Sequence, residues 1–423
     1  PLHGGVPGHR RTGPVCGGLH APATFYKYLT KKMISHSRPC LDENDCQAVL
    51  DVLRSGCLVQ GEIVAALEDA FALFMSRRQG SSNQEQEDVG TTSGNNQPAA
   101  FREKSQIATH VADRSGVLPE CFHAAAVSTG TAALHLTLLG AGIGPGDEVI
   151  IPSYVCTALW HAVIYTGATP ILADCKPDTF NIDAEDVKQR CTDRTRAVIV
   201  PHLFGQAADL DDILALGIPV IEDCAQSLGS TYRERPTGSF GIAGIFSFYA
   251  TKVIAAGEGG MVVSRNASLI EKIRDLRDYD EKDVLATRYN YKLTDIQAAL
   301  ALSQFYKLPS FIARRRILAA QYDRVLIDNG IIPPIKKDGR EHIFYRYVFL
   351  VDALETFINE MARRRVSCRR PVFQPLHNYL KTRGYAISDH LWQHAVSVPL
   401  YPGLTAAEMD TVTAAMKAGF HAD

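Results

Sequence analysis

Between Cys121 and Gly260 the sequence alternates short apolar runs with segments of helical period, and this alternation limits the fold more than any other feature. Val149–Ile151, Pro170–Ala173, Ala197–Val200, Ile218–Ile221 and Ile245–Phe248 read as strands. Thr131–Gly140 and Thr157–Thr166 read as intervening helices. Such a βαβ alternation predicts an α/β fold with a largely parallel central sheet covered on both faces. In open sheets of this kind ligands gather outside the carboxyl ends of the strands. Chemistry is therefore to be sought just after each apolar run.

The flanking segments are mostly helical. Asp42–Leu53 carries apolar residues at Cys46, Val49, Leu50 and Leu53, and a second helical pattern covers Glu62–Met75. Beyond Gly260 come Ala267–Leu276 and a capping box, Thr294-Asp295-Ile296-Gln297, which opens a helix at Ile296. Tyr345–Val351 is a strand candidate. The expected organisation is a disordered leader over residues 1–36, a large domain over 37–310 and a smaller C-terminal α+β domain over 311–423. Residues 76–119 are rich in Gln, Asn, Ser and Gly, and such a segment buries too little apolar surface to offset its ordering entropy. A disordered insertion is expected there.

Composition removes several classes of function. A formal net charge of -2 gives no global electrostatic reason to expect nucleic acid or an anionic membrane as partner. No apolar stretch approaches the roughly 20 residues that span a bilayer. The ten cysteines form neither a CxxC pair nor a Cys/His cluster of metal-binding spacing, so free thiols in a reducing, cytoplasmic setting and no metal are expected.

Four features sit at the ends of the predicted strands. Ser128-Thr129-Gly130-Thr131-Ala132-Ala133 is a small-residue turn that feeds a helix. Its free N–H groups and positive dipole end suit a phosphate, although an ordinary N-capped helix reads the same way. Asp223 ends a strand, where a buried carboxylate needs a cation such as a protonated pyridine nitrogen. Gln226 follows one turn later, within reach of a phenolic oxygen on the same ring; a structural aspartate capping the next helix is the alternative. Ser247-Phe248-Tyr249-Ala250-Thr251-Lys252, followed by Gly257-Glu258-Gly259-Gly260, puts a lysine just past a buried strand. Lysine is rarely buried without a purpose, and a desolvated amine is a nucleophile; a surface lysine before a Gly-rich hairpin is the bland reading. Finally, Pro152-Ser153-Tyr154 offers an aromatic that either stacks on a flat heterocycle or fills the rim of the core. Taken together, phosphate, pyridine nitrogen, ring face and aldehyde each find one partner. Pyridoxal 5'-phosphate (PLP) matches all four.

These stretches, in this order, resemble the DegT/DnrJ/EryC1/StrS family of sugar aminotransferases, a branch of the fold-type I PLP enzymes. The likeness also rests on Gly144-Pro145-Gly146-Asp147-Glu148-Val149, Pro201-His202-Leu203-Phe204-Gly205-Gln206, Tyr289-Asn290-Tyr291-Lys292-Leu293-Thr294-Asp295 and Ser397-Val398-Pro399-Leu400-Tyr401-Pro402. It runs from about Ser37 to the C-terminus, apart from the insertion. The resemblance implies a PLP-dependent aminotransferase that converts a keto-sugar, nucleotide-linked, to an amino sugar with glutamate or glutamine as donor. Lys252 would carry the cofactor as a Schiff base and relay the proton, with Asp223 on the ring nitrogen and Gln226 on the ring oxygen. Thr131, Ala132 and Ser247 would hold the phosphate. Asn290 would reach the phosphate of a neighbouring subunit's cofactor, making the unit a homodimer with shared sites. Tyr154, counted back from the following helix, would stack on the ring. Lys292 stands where arginine is usual, and lysine lacks the bidentate fork. Two rivals remain: a PLP-dependent sugar dehydratase, whose relatives carry histidine in place of Lys252, and a regulatory protein that keeps only the fold.

Overall fold

The computed structural model describes residues 33–76 and 121–421. Its strands are β1 (His123–Val127), β2 (Glu148–Pro152), β3 (Thr169–Ala173), β4 (Thr195–Pro201), β5 (Val220–Asp223), the short pair β6 (Thr231–Tyr232) and β7 (Arg235–Pro236), then β8 (Ala243–Ser247) and β9 (Gly260–Ser264). All but the short pair join one sheet in the order β1-β9-β8-β5-β4-β2-β3. Strand β9 is antiparallel to both of its neighbours, and the remaining pairings are parallel. The sheet is thus largely parallel, as the alternation predicts.

Both faces are covered, and side chains alternate between the two cores as the pleat requires. On β1, Ala125 and Val127 face α3 (Gly130–Gly140), α4 (Ala158–Tyr165) and α7 (Ala267–Leu276), while Ala124 and Ala126 face the other way. That second face is closed by α2 (Glu62–Ser76) and α8 (Asp295–Tyr306), where the Phe71 ring lies 4.6 Å from Phe305 and 5.5 Å from Phe246. Strands β1 and β9 are absent from the apolar runs read in the sequence. Three alanines in β1 have little β preference, and β9 begins on the last glycine of a Gly-rich turn.

The capping box at Thr294 is present and starts α8, and Asp42 forms a second one at the start of α1 (Glu43–Ser55). The C-terminal part has its own core. Strands β11 (Tyr347–Leu350) and β12 (Ala395–Val398) pair antiparallel, and a strand β10 (Arg340–Glu341) joins β6. Around β11 and β12 pack Tyr322 of α9 (Leu308–Asp328), Phe357 of α10 (Leu354–Arg363) and Met416 of the last helix, Ala406–Phe420. The expected boundary between residues 310 and 311 falls in the first turn of α9, whose Leu308 belongs to the sheet core and whose Leu318 to Leu326 belong to the second core. The insertion expected over 76–119 lies outside the described residues except for Ser76. Its flanks meet: the Phe122 N–H donates to Ser76 Oγ at 3.3 Å. The leader lies outside them too, up to residue 32.

Candidate active site

The carboxyl ends of β1, β2, β5 and β8 open on one side of the sheet, and each delivers one of the four features. The first is a cradle. Thr129 is the N-cap of α3, its Oγ1 accepting the Ala132 N–H at 3.0 Å. The orphan donors left at this helix start are the N–H groups of Gly130 and Thr131. Two glycines let β8 and β9 close on it. A Cβ at Gly130 would stand 2.9 Å from Ser247 Cβ, and one at Gly260 would stand 2.4 Å from the Thr129 carbonyl oxygen. Ser247 therefore presses its hydroxyl against the start of α3. Of the three residues expected to hold a phosphate, Thr131 and Ser247 lie at this mouth, whereas the Ala132 amide is already used by the cap.

Asp223 closes β5. Its Oδ1 accepts the Ala225 N–H at 2.9 Å, and no cation among the described residues is within ion-pair distance. Burial pushes its carboxyl above the usual carboxylate range, against the pull of the Ala225 N–H, Lys252 and His202. The residue before it does the opposite work. Glu222 is fully buried and accepts the N–H groups of Gly238, Phe240 and Gly241 at 2.7–2.8 Å, and His202 Nε2 at 3.0 Å. Burial opposes its charge, but His202 and these N–H groups outweigh it and hold the carboxyl below its ordinary value. His202 Nδ1 accepts the Ala208 N–H at 3.0 Å, so Nε2 carries the hydrogen it donates to Glu222. Cys224 brings a third ligand-type atom near this pair. The ring nitrogens of His202 and the carboxylate of Glu222 are already engaged in the hydrogen bonds that brace the end of β5.

Lys252 follows β8 in the turn that the glycines make possible. Its Nζ stands 5.3 Å from the centroid of the buried Tyr345 ring, just before β11. Gln226 accepts the Phe204 N–H on Oε1 at 3.0 Å, which leaves its Nε2 as the donor end of the side chain. Phe204 itself is held at φ 58°, a conformation bulky side chains rarely adopt. Its N–H is thereby held against the Gln226 side chain.

The structure corrects the reading of Tyr154. That side chain has no exposed surface, packs within the main core 6.1 Å from the Phe180 ring, and leaves no face open to a heterocycle. The buried run that begins with β2 continues to Val155, and the first open position is Cys156. This side chain is exposed yet surrounded by protein, as befits the lining of a cleft. Desolvation pushes its thiol up, Lys252 pulls it down and Asp223 pushes it further up, so the sulfur is within electrostatic reach of both residues. Asn290 is exposed, between Tyr289 and Tyr291, whose rings stack at 5.1 Å. The Tyr291 carbonyl accepts the Ser128 N–H at 2.8 Å, so Asn290 belongs to a loop tied to the cradle, and its side chain is exposed. Lys292 is engaged locally, donating to Asp278 at 2.6 Å and Asp280 at 3.1 Å.

Ser153, His377 and Asp389 form a hydrogen-bonded chain with distances of 2.6 and 2.9 Å. Ser153 and His377 are buried, and Ser153 Oγ also accepts the His377 N–H. This chain ties the end of β2 to the C-terminal part and presents no nucleophile to solvent. Sequence reasoning missed Tyr345, Cys156 and the Glu222–His202 brace. The signal for the last was available: an acidic pair, Glu222-Asp223, at a strand end invites two different partners.

The DegT/DnrJ/EryC1/StrS aminotransferase family matches residues 80–417. The chain is 38% identical over 315 residues to the GDP-perosamine synthase of Caulobacter vibrioides, covering 70% of this chain and 85% of that one. It is 32% identical over 418 residues to the spore coat polysaccharide biosynthesis protein SpsC of Bacillus subtilis, covering 91% and 96%. Its fold matches S. venezuelae DesV, solved in complex with a ketimine intermediate, with a TM-score of 0.76 at 27% identity over 92% of this chain and 100% of the other. The chain belongs to the DegT/DnrJ/EryC1/StrS aminotransferase family and is a PLP-dependent aminotransferase.

Proposed function

We propose that this enzyme moves an amino group from glutamate or glutamine to the ketone carbon of a nucleotide-linked sugar, with Lys252 as the residue that bears the cofactor. One observation carries the residue assignment: Asp223 is a buried carboxylate with an N–H on one oxygen and no cationic partner among the described residues, within electrostatic reach of Lys252. A pyridinium nitrogen supplies the missing cation. The cradle of Thr131 and Ser247 fits a phosphate, and the Nε2 donor of Gln226 fits a phenolic oxygen. Bound PLP supplies an electron sink for charge developing at the carbon that carries the amine.

Each residue then has a stated task. Asp223 keeps the proton on the ring nitrogen, and the Glu222 brace keeps Asp223 at the end of β5. Lys252 takes a proton from one carbon and returns it to another through its Nζ. Cys156 lies within electrostatic reach of both Lys252 and Asp223. The names of the relatives favour a nucleotide-linked keto-sugar, and GDP-linked ones are the first to try. A homodimer with shared sites follows from Asn290, whose exposed side chain would meet a partner's cofactor phosphate. The free cysteines among the described residues favour a reducing, cytoplasmic setting.

The test is a panel of nucleotide-linked keto-sugars incubated with PLP-loaded protein and glutamate or glutamine. The expected result is an amino sugar, detected by mass, with equimolar 2-oxo acid from the donor. A product that has lost a hydroxyl without gaining nitrogen would point to the dehydratase reading. No turnover of any keto-sugar would leave the sugar assignment without support.

A further inference from the structure

The cavity beside Lys252 has an unusual charge balance. Four cations line it: Arg38 from the segment before α1, Lys252 itself, Arg315 from α9 and Arg346. No carboxylate is among its lining residues. Arg38 alone reaches an acid, Glu408 at 3.5 Å, which lies outside the lining. Arg315 Nη1 is bound by neutral groups, the carbonyls of Phe344, Tyr345 and Leu400 at 3.0–3.2 Å. Lys252 and Arg346 have no acidic partner among the described residues. They stand by one ring: Lys252 Nζ and the Arg346 guanidinium are each 5.3 Å from the Tyr345 centroid. Arg346 Nη1 also lies 3.3 Å from both ring nitrogens of His36, but burial, with Arg346 and Arg369, holds that imidazole neutral.

A second feature of the lining points to a ligand. Tyr401 is 1% exposed, yet its hydroxyl has no hydrogen-bond partner. The Arg38 guanidinium lies 5.0 Å from its ring centroid. A buried polar group left unpaired is rare and costs free energy, which an acceptor atom in the cavity would recover. The cavity thus offers guanidinium, ammonium and hydroxyl donors. An anion with several acceptor oxygens matches them, and a carboxylate fits a guanidinium in shape as well as in charge.

We propose that this cavity receives both carboxylates of the amino donor and thereby selects glutamate over glutamine, with Arg346 as the specificity-determining residue. This rests on the reading of Lys252 as the cofactor-bearing amine, which brings the donor's amino group to this place. Glutamate and glutamine share their length and their α-carboxylate, and differ only at the far end. Even with Lys252 uncharged, Arg315 and Arg346 leave two positive charges without an acid, and the α-carboxylate answers one of them. The far carboxylate of glutamate answers the other. The amide of glutamine brings N–H donors to a lining rich in donors and leaves a buried charge unbalanced. The 2-oxo acid left after glutamate gives up its amine keeps both carboxylates, so the same contacts serve donor and product.

Glutarate, which has two carboxylates and no amine, is the binding probe, and its monoamide glutaramate is the control. Both are titrated by calorimetry into cofactor-free wild type, Arg346→Gln, Arg346→Lys and Tyr401→Phe. Wild type should bind glutarate roughly tenfold or more tightly than glutaramate. Arg346→Gln should lose that preference, and Arg346→Lys should keep part of it. Tyr401→Phe should keep the wild-type denaturation midpoint, because its hydroxyl bonds to nothing in the protein, and should still bind glutarate more weakly. In PLP-loaded protein without acceptor, loss of the visible band follows the donor half of the reaction alone. Glutamate should half-saturate it at a concentration roughly tenfold below that for glutamine. Arg346→Gln should erase this ratio, whereas a merely structural lesion would raise both values alike. Equal binding of glutarate and glutaramate by wild type, or an unchanged glutamate-to-glutamine ratio in Arg346→Gln, would overturn the proposal. If no amino acid removes the band while glutarate still binds through Arg346, the reading of Lys252 fails and the carboxylate site stands.

Discussion

Asp223 and Lys252 acquire their chemistry from where two strands end. Asp223→Asn keeps the size and the Ala225 N–H contact of the side chain but cannot hold a pyridinium proton. Turnover should fall roughly a hundredfold or more, while the denaturation midpoint changes little; near-normal turnover would reduce Asp223 to a turn former. Both positions stand out in the sequence because each charged side chain lies at or shortly after the end of an apolar run, where structural uses are few. Tyr345 does not. Its neighbours Thr251 and Lys252 are more than ninety positions away in the chain, and only the fold brings the ring beside them. Tyr154 was misread for a related reason. An aromatic after a strand looks the same whether the buried run stops before it or continues, and here burial continues to Val155 and leaves Cys156 as the lining residue.

The end of β5 shows how one element serves both stability and chemistry. Glu222 faces away from the cleft and satisfies three backbone N–H groups and His202; Asp223, next to it, faces the cleft. Glu222→Ala would strand these buried donors, and should cost at least about 3 kcal/mol by chemical denaturation. Because Glu222 braces the backbone of Asp223, turnover should drop as well. A variant with wild-type stability would show that the brace is dispensable. Of the seven strands of the main sheet, five were legible from apolar runs and two were not. β1 reads as an alanine stretch, and β9 is formed by pairing with both β1 and β8, a tertiary event that overrides weak local preference.

The assembled molecule brings the site elements to one edge of the sheet, yet Asn290 is exposed on a loop tied to the cradle through Ser128. If its partner is a second copy, inactive Lys252→Ala and impaired Asn290→Ala proteins, mixed under conditions of subunit exchange, should regain activity. A mixed pair holds one site with both residues intact. Confirmed exchange without recovered activity would confine Asn290 to its own chain. The fold class and the order of the site features followed from the alternation of strands and helices, whereas the C-terminal core, joined to the sheet core through α9, left only the β11 run visible beforehand. The whole account depends on the bond between Lys252 and the cofactor. PLP-loaded protein is reduced with borohydride, digested and mapped by mass spectrometry. Loss of the visible band together with a pyridoxyl group on the peptide containing Lys252, and on no other lysine, is the result expected. An unmodified Lys252, or a label on a different lysine, would contradict it.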